Sequence, residues 1–138
     1  MRTLNALTLD DAKRIAEAAQ AEADRHRWPI VIAIVDSGGH LLYFQRDQAQ
    51  LGSIDVAIQK AKAAALFKRP TQFWESIVSE GRQSYLVMPG MLPIEGGLPL
   101  ILDGHCLGAI GVSGVTSVQD GQIAAAGVST FQELAKCV

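Results

Sequence analysis

The chain has 138 residues, a length that suits one domain spanning residues 1–138. Hydrophobic residues make up 49% of it and charged residues 19%, which is typical of a globular protein and excludes a disordered one. With a net charge of −2, the chain lacks the excess of basic residues that is typical of nucleic-acid-binding proteins. Because so few residues are charged, we also expect the chain to form a homo-oligomer.

Three features of the sequence bear on the compartment in which the protein is expected: the start of the chain, its apolar runs and its cysteines. No apolar stretch of signal-peptide type follows Met1, and no run approaches the roughly 18 apolar residues of a membrane span. Cys106 and Cys137 form no CxxC pair, so we interpret both as free thiols. These features predict a cytoplasmic protein.

The first part of the chain predicts a helix and a hairpin. Leu9–His26 repeats small and apolar residues at helical spacing, and Thr8 is placed to cap the first turn. Ile30–Val35 is an apolar, β-branched run typical of a buried strand. The glycine-containing turn at 36–39 then predicts a returning strand over Leu41–Phe44.

The middle of the chain predicts two more helices and a long irregular segment. Ser53 is interpreted as the N-cap of an alanine-rich helix that ends near Lys68. Thr71 is interpreted as the cap of a short helix reaching Ile77. Prolines and glycines interrupt the second half of the segment from 81 to 97, and an irregular stretch of this size usually carries function.

The last part of the chain predicts a second hairpin and a final helix. Strands are expected over Leu98–Leu102 and Cys106–Val112, joined by a turn at 103–104. Ser117, with Asp120 three residues later, indicates the start of a helix that runs to about Lys136. This order predicts an α/β (α+β) domain with a central antiparallel sheet flanked by helices, of the PAS- or profilin-like kind.

Three basic residues are candidates for holding a carboxylate: Arg46, Lys60 and Arg82. Arginine grips a carboxylate through two parallel hydrogen bonds. Lys60 lies beside the small-residue stripe of its helix and could reach inward. The alternative is that each is an ordinary surface charge.

Two glycine motifs are candidates for a ligand site. In the first, Gly96 and Gly97 could shape a pocket floor, and Glu95 could act as a general base. In the second, Ser113 lies between glycines that allow a ligand or a backbone to come close. The alternatives are a tight turn with a solvated glutamate and a bend at the end of a strand.

The histidines His26, His40 and His105 could each bind a metal or haem iron, although a solvated ring is the default. We take His40 as the candidate axial ligand. The sequence contains no HExxH, GxSxG, GxGxxG or Walker motif, which argues against zinc-protease, hydrolase and nucleotide-binding classes.

Motifs in both halves of the chain resemble the GlcG/HbpS-like family, and its GlcG branch most closely. The matching segments are 35–41, 46–47, 60–61 with 63–65, 81–82, 95–99, 103–104, 108–114 and 119–120. The resemblance implies a PAS/profilin-like fold, homo-oligomeric assembly and haem as the leading cofactor.

Two hypotheses of function follow, together with a third in which the chain is an oligomeric accessory protein without chemistry. In the first, a pocket between sheet and helices binds haem or a related ligand whose carboxylates pair with Arg46, Lys60 or Arg82. In the second, the chain is an enzyme acting on a small organic acid. Glu95 is then the acid/base, and Arg46 and Lys60 hold the carboxylate.

Overall fold

The helices and strands follow the order that the sequence predicts. A computed structural model describes residues 1–137 of the chain. Its elements are α1 (Leu9–His26), β1 (Val31–Asp36), β2 (Leu41–Arg46), α2 (Ser53–Phe67), α3 (Thr71–Ser79), a 3₁₀ helix (Gln83–Val87), β3 (Gly97–Leu102), β4 (His105–Ser113) and α4 (Ser117–Ala135).

The four strands form one antiparallel sheet in the order β2-β1-β4-β3. The central strands β1 and β4 are the most deeply buried, as their continuous apolar runs predict. Val31 pairs with Ser113 on one side and with Arg46 on the other. The turns of both hairpins lie at the opposite end of the sheet, beyond Asp36 and its partner Gly108. The expectation of an antiparallel sheet flanked by helices is confirmed, whereas the likeness to PAS and profilin folds stays a prediction.

Helices cover both faces of the sheet. One face carries the larger side chains, such as Ile32 and Ile110, which pack against α1 and α4. The other face packs Val31 and Ala33 against the alanines of α2. On this side α2 lies so close that a Cβ atom at Gly111 would be 2.1 Å from the Ala57 carbonyl oxygen. Small residues on both partners therefore set the spacing of this layer.

The helix starts are partly as predicted. Thr8 caps α1 through a reciprocal pair of hydrogen bonds with Asp11, which confirms that prediction. Helix α4 begins at Ser117 as predicted, but its cap is Thr116, paired with Gln119, so the interpretation of Ser117 and Asp120 as the capping pair was wrong. The Thr116 hydroxyl reaches the free amide of residue 119, which leaves Asp120 available for another role.

Two other predicted caps are wrong because their side chains are buried inside the protein. The N-cap of α2 is Gly52, and Ser53 is the first helical residue, 1% exposed. The N-cap of α3 is Pro70, and the Thr71 hydroxyl bonds to the backbone of Gly97 instead.

The segment predicted to be irregular, 81 to 97, is irregular up to residue 96 except for the 3₁₀ helix, which was not predicted, and Gly97 already belongs to β3. Short i to i+3 hydrogen bonds, such as Tyr85 N–H to the Arg82 carbonyl at 3.4 Å, form the 3₁₀ helix. Across residues 1–137, none of the helices combines the length and apolarity needed to cross a membrane.

Candidate functional site

Lys60 lies in the middle of α2 and is fully enclosed, with 1% of its surface exposed. Its Nζ donates to Asp120 Oδ2 and to the Val112 carbonyl oxygen, each at 3.0 Å. A buried ammonium is stable only when it is paired and hydrogen-bonded, and these two acceptors meet that need. From the sequence, Lys60 could either reach inward or be an ordinary surface charge, and its partner was not identified; the inward position is the one found.

Asp120 supplies the other half of this ion pair from the first turn of α4, where it is 2% exposed. Its second oxygen, Oδ1, accepts the Val115 amide at 3.2 Å. Burial raises the pKa of the Asp120 carboxyl, whereas the Lys60 ammonium and the Val115 amide act to lower it. Because Lys60 and Asp120 come from helices on opposite faces of the sheet, their ion pair joins the two helical layers.

Gly96 and Gly97 form the backbone that covers the Lys60 side chain. Gly96 has a φ of +134°, and a Cβ atom there would lie 2.7 Å from Lys60 Nζ. A Cβ atom at Gly97 would lie 2.3 Å from the Lys60 carbonyl oxygen. The Gly97 amide donates to Thr71 Oγ1 at 2.9 Å, which fixes this stretch against α3. Only glycine fits both positions, for reasons of space and, at Gly96, of backbone conformation.

Glu95 is the half-buried residue at the rim of this cluster. Its Oε2 packs over Gly121 in α4, where a Cβ atom would come within 2.5 Å of it. Its backbone amide donates to Glu75 Oε1 at 3.2 Å. Burial and the neighbouring Glu75 raise the pKa of the Glu95 carboxyl. Asp120 adds to this rise, and Lys60 opposes it. A carboxyl with a raised pKa at an accessible rim is suited to proton transfer.

Ser113 ends β4 at the same end of the sheet and is 6% exposed. It follows Val112, whose carbonyl oxygen accepts the Lys60 ammonium. The structure therefore brings together five of the residues that the sequence analysis singled out, namely Lys60, Glu95, Gly96, Gly97 and Ser113.

The remaining candidates lie outside this cluster. Arg46 is the exposed last residue of β2, in register with Val31 and Ser113. Arg82 is exposed before the 3₁₀ helix, and its guanidinium lies 5.5 Å from the centre of the Tyr85 ring.

His40 is exposed in the β1–β2 turn, where its carbonyl oxygen accepts the Asp36 amide. Val31 to Asp36 is five steps along a strand, or roughly 17 Å, so His40 is at the far end of the sheet from Ser113.

Asp120 is the residue that sequence reasoning missed at this site. Because Asp120 lies three residues after Ser117, it was interpreted as part of a helix cap and was not considered as the partner of a buried charge. The available signal was a lysine within an alanine-rich helix, because a buried lysine requires a carboxylate partner somewhere in the fold. Among residues 1–137, no three His, Cys, Asp or Glu side chains are grouped as metal ligands.

Comparison with known proteins places this arrangement in a family. The family described as "Haem degrading protein HbpS-like" matches residues 7–129. Protein GlcG of Escherichia coli K12 is 39% identical over 115 residues, which cover 82% of this chain and 85% of GlcG.

Two solved structures have the same fold over most of their length. The Klebsiella pneumoniae protein ORFY aligns with a TM-score of 0.88 and 31% identity over 96% of this chain and 94% of ORFY. PduOC in a crystal structure of its complex with haem aligns with a TM-score of 0.82 and 30% identity over 91% of this chain and 95% of PduOC. The chain therefore belongs to the HbpS-like family.

Proposed function

We propose that this chain binds a small molecule through a surface built on the sheet and its flanking loops, with haem as the first ligand to test. The observation that carries the proposal is the match to PduOC, which was crystallised with haem and aligns with nearly the whole of this chain. The proposal includes self-association as a homo-oligomer, which rests on composition, and a cytoplasmic location, which rests on the free thiols of Cys106 and Cys137.

The exposed basic and imidazole groups support this proposal. His40 immediately precedes β2 and Arg46 ends it, so the two lie at opposite ends of this edge strand, and a ligand that contacts both must lie along the strand. We assign His40 the role of axial ligand to the iron. Arg46 and Arg82 are exposed and so have room to form forked hydrogen bonds with haem propionates. Lys60 is already bonded to Asp120, so its contribution is to hold Gly96, Gly97 and Ser113 in place.

Titration with hemin, followed by the Soret absorption band, tests this proposal. We expect a saturable spectral shift with the unaltered chain and a weaker, displaced band with His40→Ala. The variants His26→Ala and His105→Ala are matched controls because both remove an exposed imidazole elsewhere, and they should behave like the unaltered chain. Absence of saturation would refute haem binding, and an unchanged band in His40→Ala would refute the assignment of the ligand.

The rim position and raised pKa of Glu95 favour a second candidate, an enzyme acting on a small organic acid. In this alternative Glu95 transfers the proton and Arg46 attracts the substrate carboxylate. Lys60 is enclosed and bonded to Asp120, so its part is to hold Gly96 and Gly97 in place rather than to contact the substrate. Incubation with a panel of small organic acids, analysed by mass spectrometry, should detect turnover that Glu95→Gln abolishes without loss of binding. Glu133→Gln is the matched control, since Glu133 is an exposed glutamate in α4. Equal turnover in Glu95→Gln would exclude this role.

A further inference from the structure

A groove separate from the Lys60 cluster runs between α1 and the edge strand β2. Its larger part is a cleft of about 610 Å³, lined by Lys13, Glu17, Gln20, Ala21, Asp24, Tyr43 and Gln45. A neighbouring cleft of about 270 Å³ shares Gln20 and Asp24 and extends the groove to Trp28. The larger volume falls within the range of small-molecule sites in proteins.

The packing of α1 explains why this groove exists. The buried stripe of α1 contacts the centre of the sheet and α4, so the outer strand β2 is only partly covered. Tyr43 and Gln45 pair with Ile34 and Ile32, whose side chains belong to the core beneath α1. Paired residues in an antiparallel sheet point to the same face. Tyr43 and Gln45 therefore face α1 and form the wall of the groove.

A chain of hydrogen bonds fixes the polar groups that line the groove. The Tyr43 hydroxyl donates to Gln45 Oε1 at 3.0 Å, and Gln45 Nε2 donates to Gln20 Oε1 at 2.8 Å. Gln20 Nε2 in turn donates to Asp24 Oδ1 at 2.8 Å. Each glutamine amide keeps a second N–H and a second lone pair, and the Tyr43 oxygen keeps its acceptor capacity. The groove thus presents fixed donors and acceptors side by side.

The charges in the groove argue against an anionic occupant. The two clefts are lined by the cations Lys13 and Arg27 and by three carboxylates, those of Glu17, Asp24 and Asp47. A ligand carboxylate would meet more negative than positive side chains there. A hydroxyl group both donates and accepts, which matches alternating amides and carboxylates. The ring of Tyr43, which lines the larger cleft, offers apolar surface to the C–H face of a ring.

We propose that the groove between α1 and β2 binds a neutral polyhydroxylated molecule of the size of a monosaccharide or cyclic polyol. This site is independent of the haem proposal, because it uses none of His40, Arg46 or Arg82. Its occupant is selected by hydroxyl hydrogen bonds to the Tyr43–Gln45–Gln20 chain.

Amide-resolved NMR titration with glucose and myo-inositol tests the site. We expect saturable shifts at the amides of α1 and β2, and much weaker ones with gluconate, which adds a negative charge at similar size. Removing one neutral hydrogen bond by Tyr43→Phe should weaken binding about five- to tenfold. Gln45→Ala should also weaken it, because it breaks the chain at its centre.

Gln72→Ala is the matched control, since it removes an exposed glutamine of α3, and it should bind like the unaltered chain. Hemin titration of Tyr43→Phe should be unchanged, which separates this site from the haem proposal. Two results would overturn the inference: no saturable shift with either neutral probe, or shifts in the groove with tetramethylammonium but not with the neutral probes.

Discussion

The buried ion pair between Lys60 and Asp120 carries a large desolvation cost, because both charges have been withdrawn from water. Lys60→Met and Asp120→Asn each leave the partner without its counter-charge. We expect each to lower the free energy of unfolding by about 3–5 kcal/mol in urea denaturation. The double variant Lys60→Met/Asp120→Asn should lose less than the sum of the two, since neither isolated charge remains.

The exposed pair Lys136–Glu133 provides the control for this experiment. Its atoms approach to 3.1 Å, a distance close to that of the buried pair, but both side chains are more than two-thirds exposed. Lys136→Met should therefore cost at most about 1 kcal/mol. Equal losses at the two pairs would show that burial of Lys60 and Asp120 does not make the loss of one partner more destabilising.

Glu95 should make stability depend on pH in a defined direction. Its pKa in the folded chain lies above its ordinary value of 4.5, so between the two values the folded state keeps a proton that the unfolded state has lost. Unfolding then releases a proton, and the free energy of unfolding falls as pH rises through this window. In urea denaturation at a series of pH values, Glu95→Gln should reduce this fall. A steeper fall in the variant would contradict the assignment.

The contact between α2 and β4 shows how one residue can set the spacing of two elements. At Gly111 a Cβ atom would lie 2.1 Å from the Ala57 carbonyl oxygen and 2.5 Å from the Ala61 amide nitrogen. Backbone atoms cannot rotate away as a side chain can, so Gly111→Ala must push the helix off the sheet. We expect a loss of about 3 kcal/mol or more in the free energy of unfolding.

Gly52→Ala is the matched control for the helix–sheet contact. Gly52 precedes the same helix, has a φ of −61°, and has nothing within 4 Å of its added Cβ. The change should alter the free energy of unfolding by no more than about 0.5 kcal/mol. If Gly111→Ala were equally harmless, the close approach of α2 to β4 would not be a requirement of the fold.

The elements were largely predictable from sequence because hydrophobic period and turn residues are local signals. The bounds of α1 were predicted correctly, and the other helices and strands end within two residues of their predicted limits. Errors concentrate at helix starts, where several hydroxyl and carboxyl groups compete for the same amides. Ser53 and Thr71 resemble caps in sequence, but their side chains are buried by contacts that only the tertiary fold creates.

The ion pair that joins the two layers was not predictable from the chain alone. Lys60 and Asp120 are 60 residues apart and belong to helices on opposite faces of the sheet. No sequence spacing links them, because their meeting depends on the strand order and on how closely α2 approaches β4. The grouping of Lys60, Glu95, Gly96, Gly97 and Ser113 was a hypothesis from separate motifs, and the fold brings them to one end of the sheet.

At the scale of the whole molecule, the proposed function requires that the chain retain a defined small molecule. Native mass spectrometry of the unaltered chain with a modest excess of hemin tests this most directly. We expect discrete peaks that are heavier by one hemin for each chain and persist under gentle activation. A distribution of adducts no different from that of an unrelated protein of similar size would contradict it.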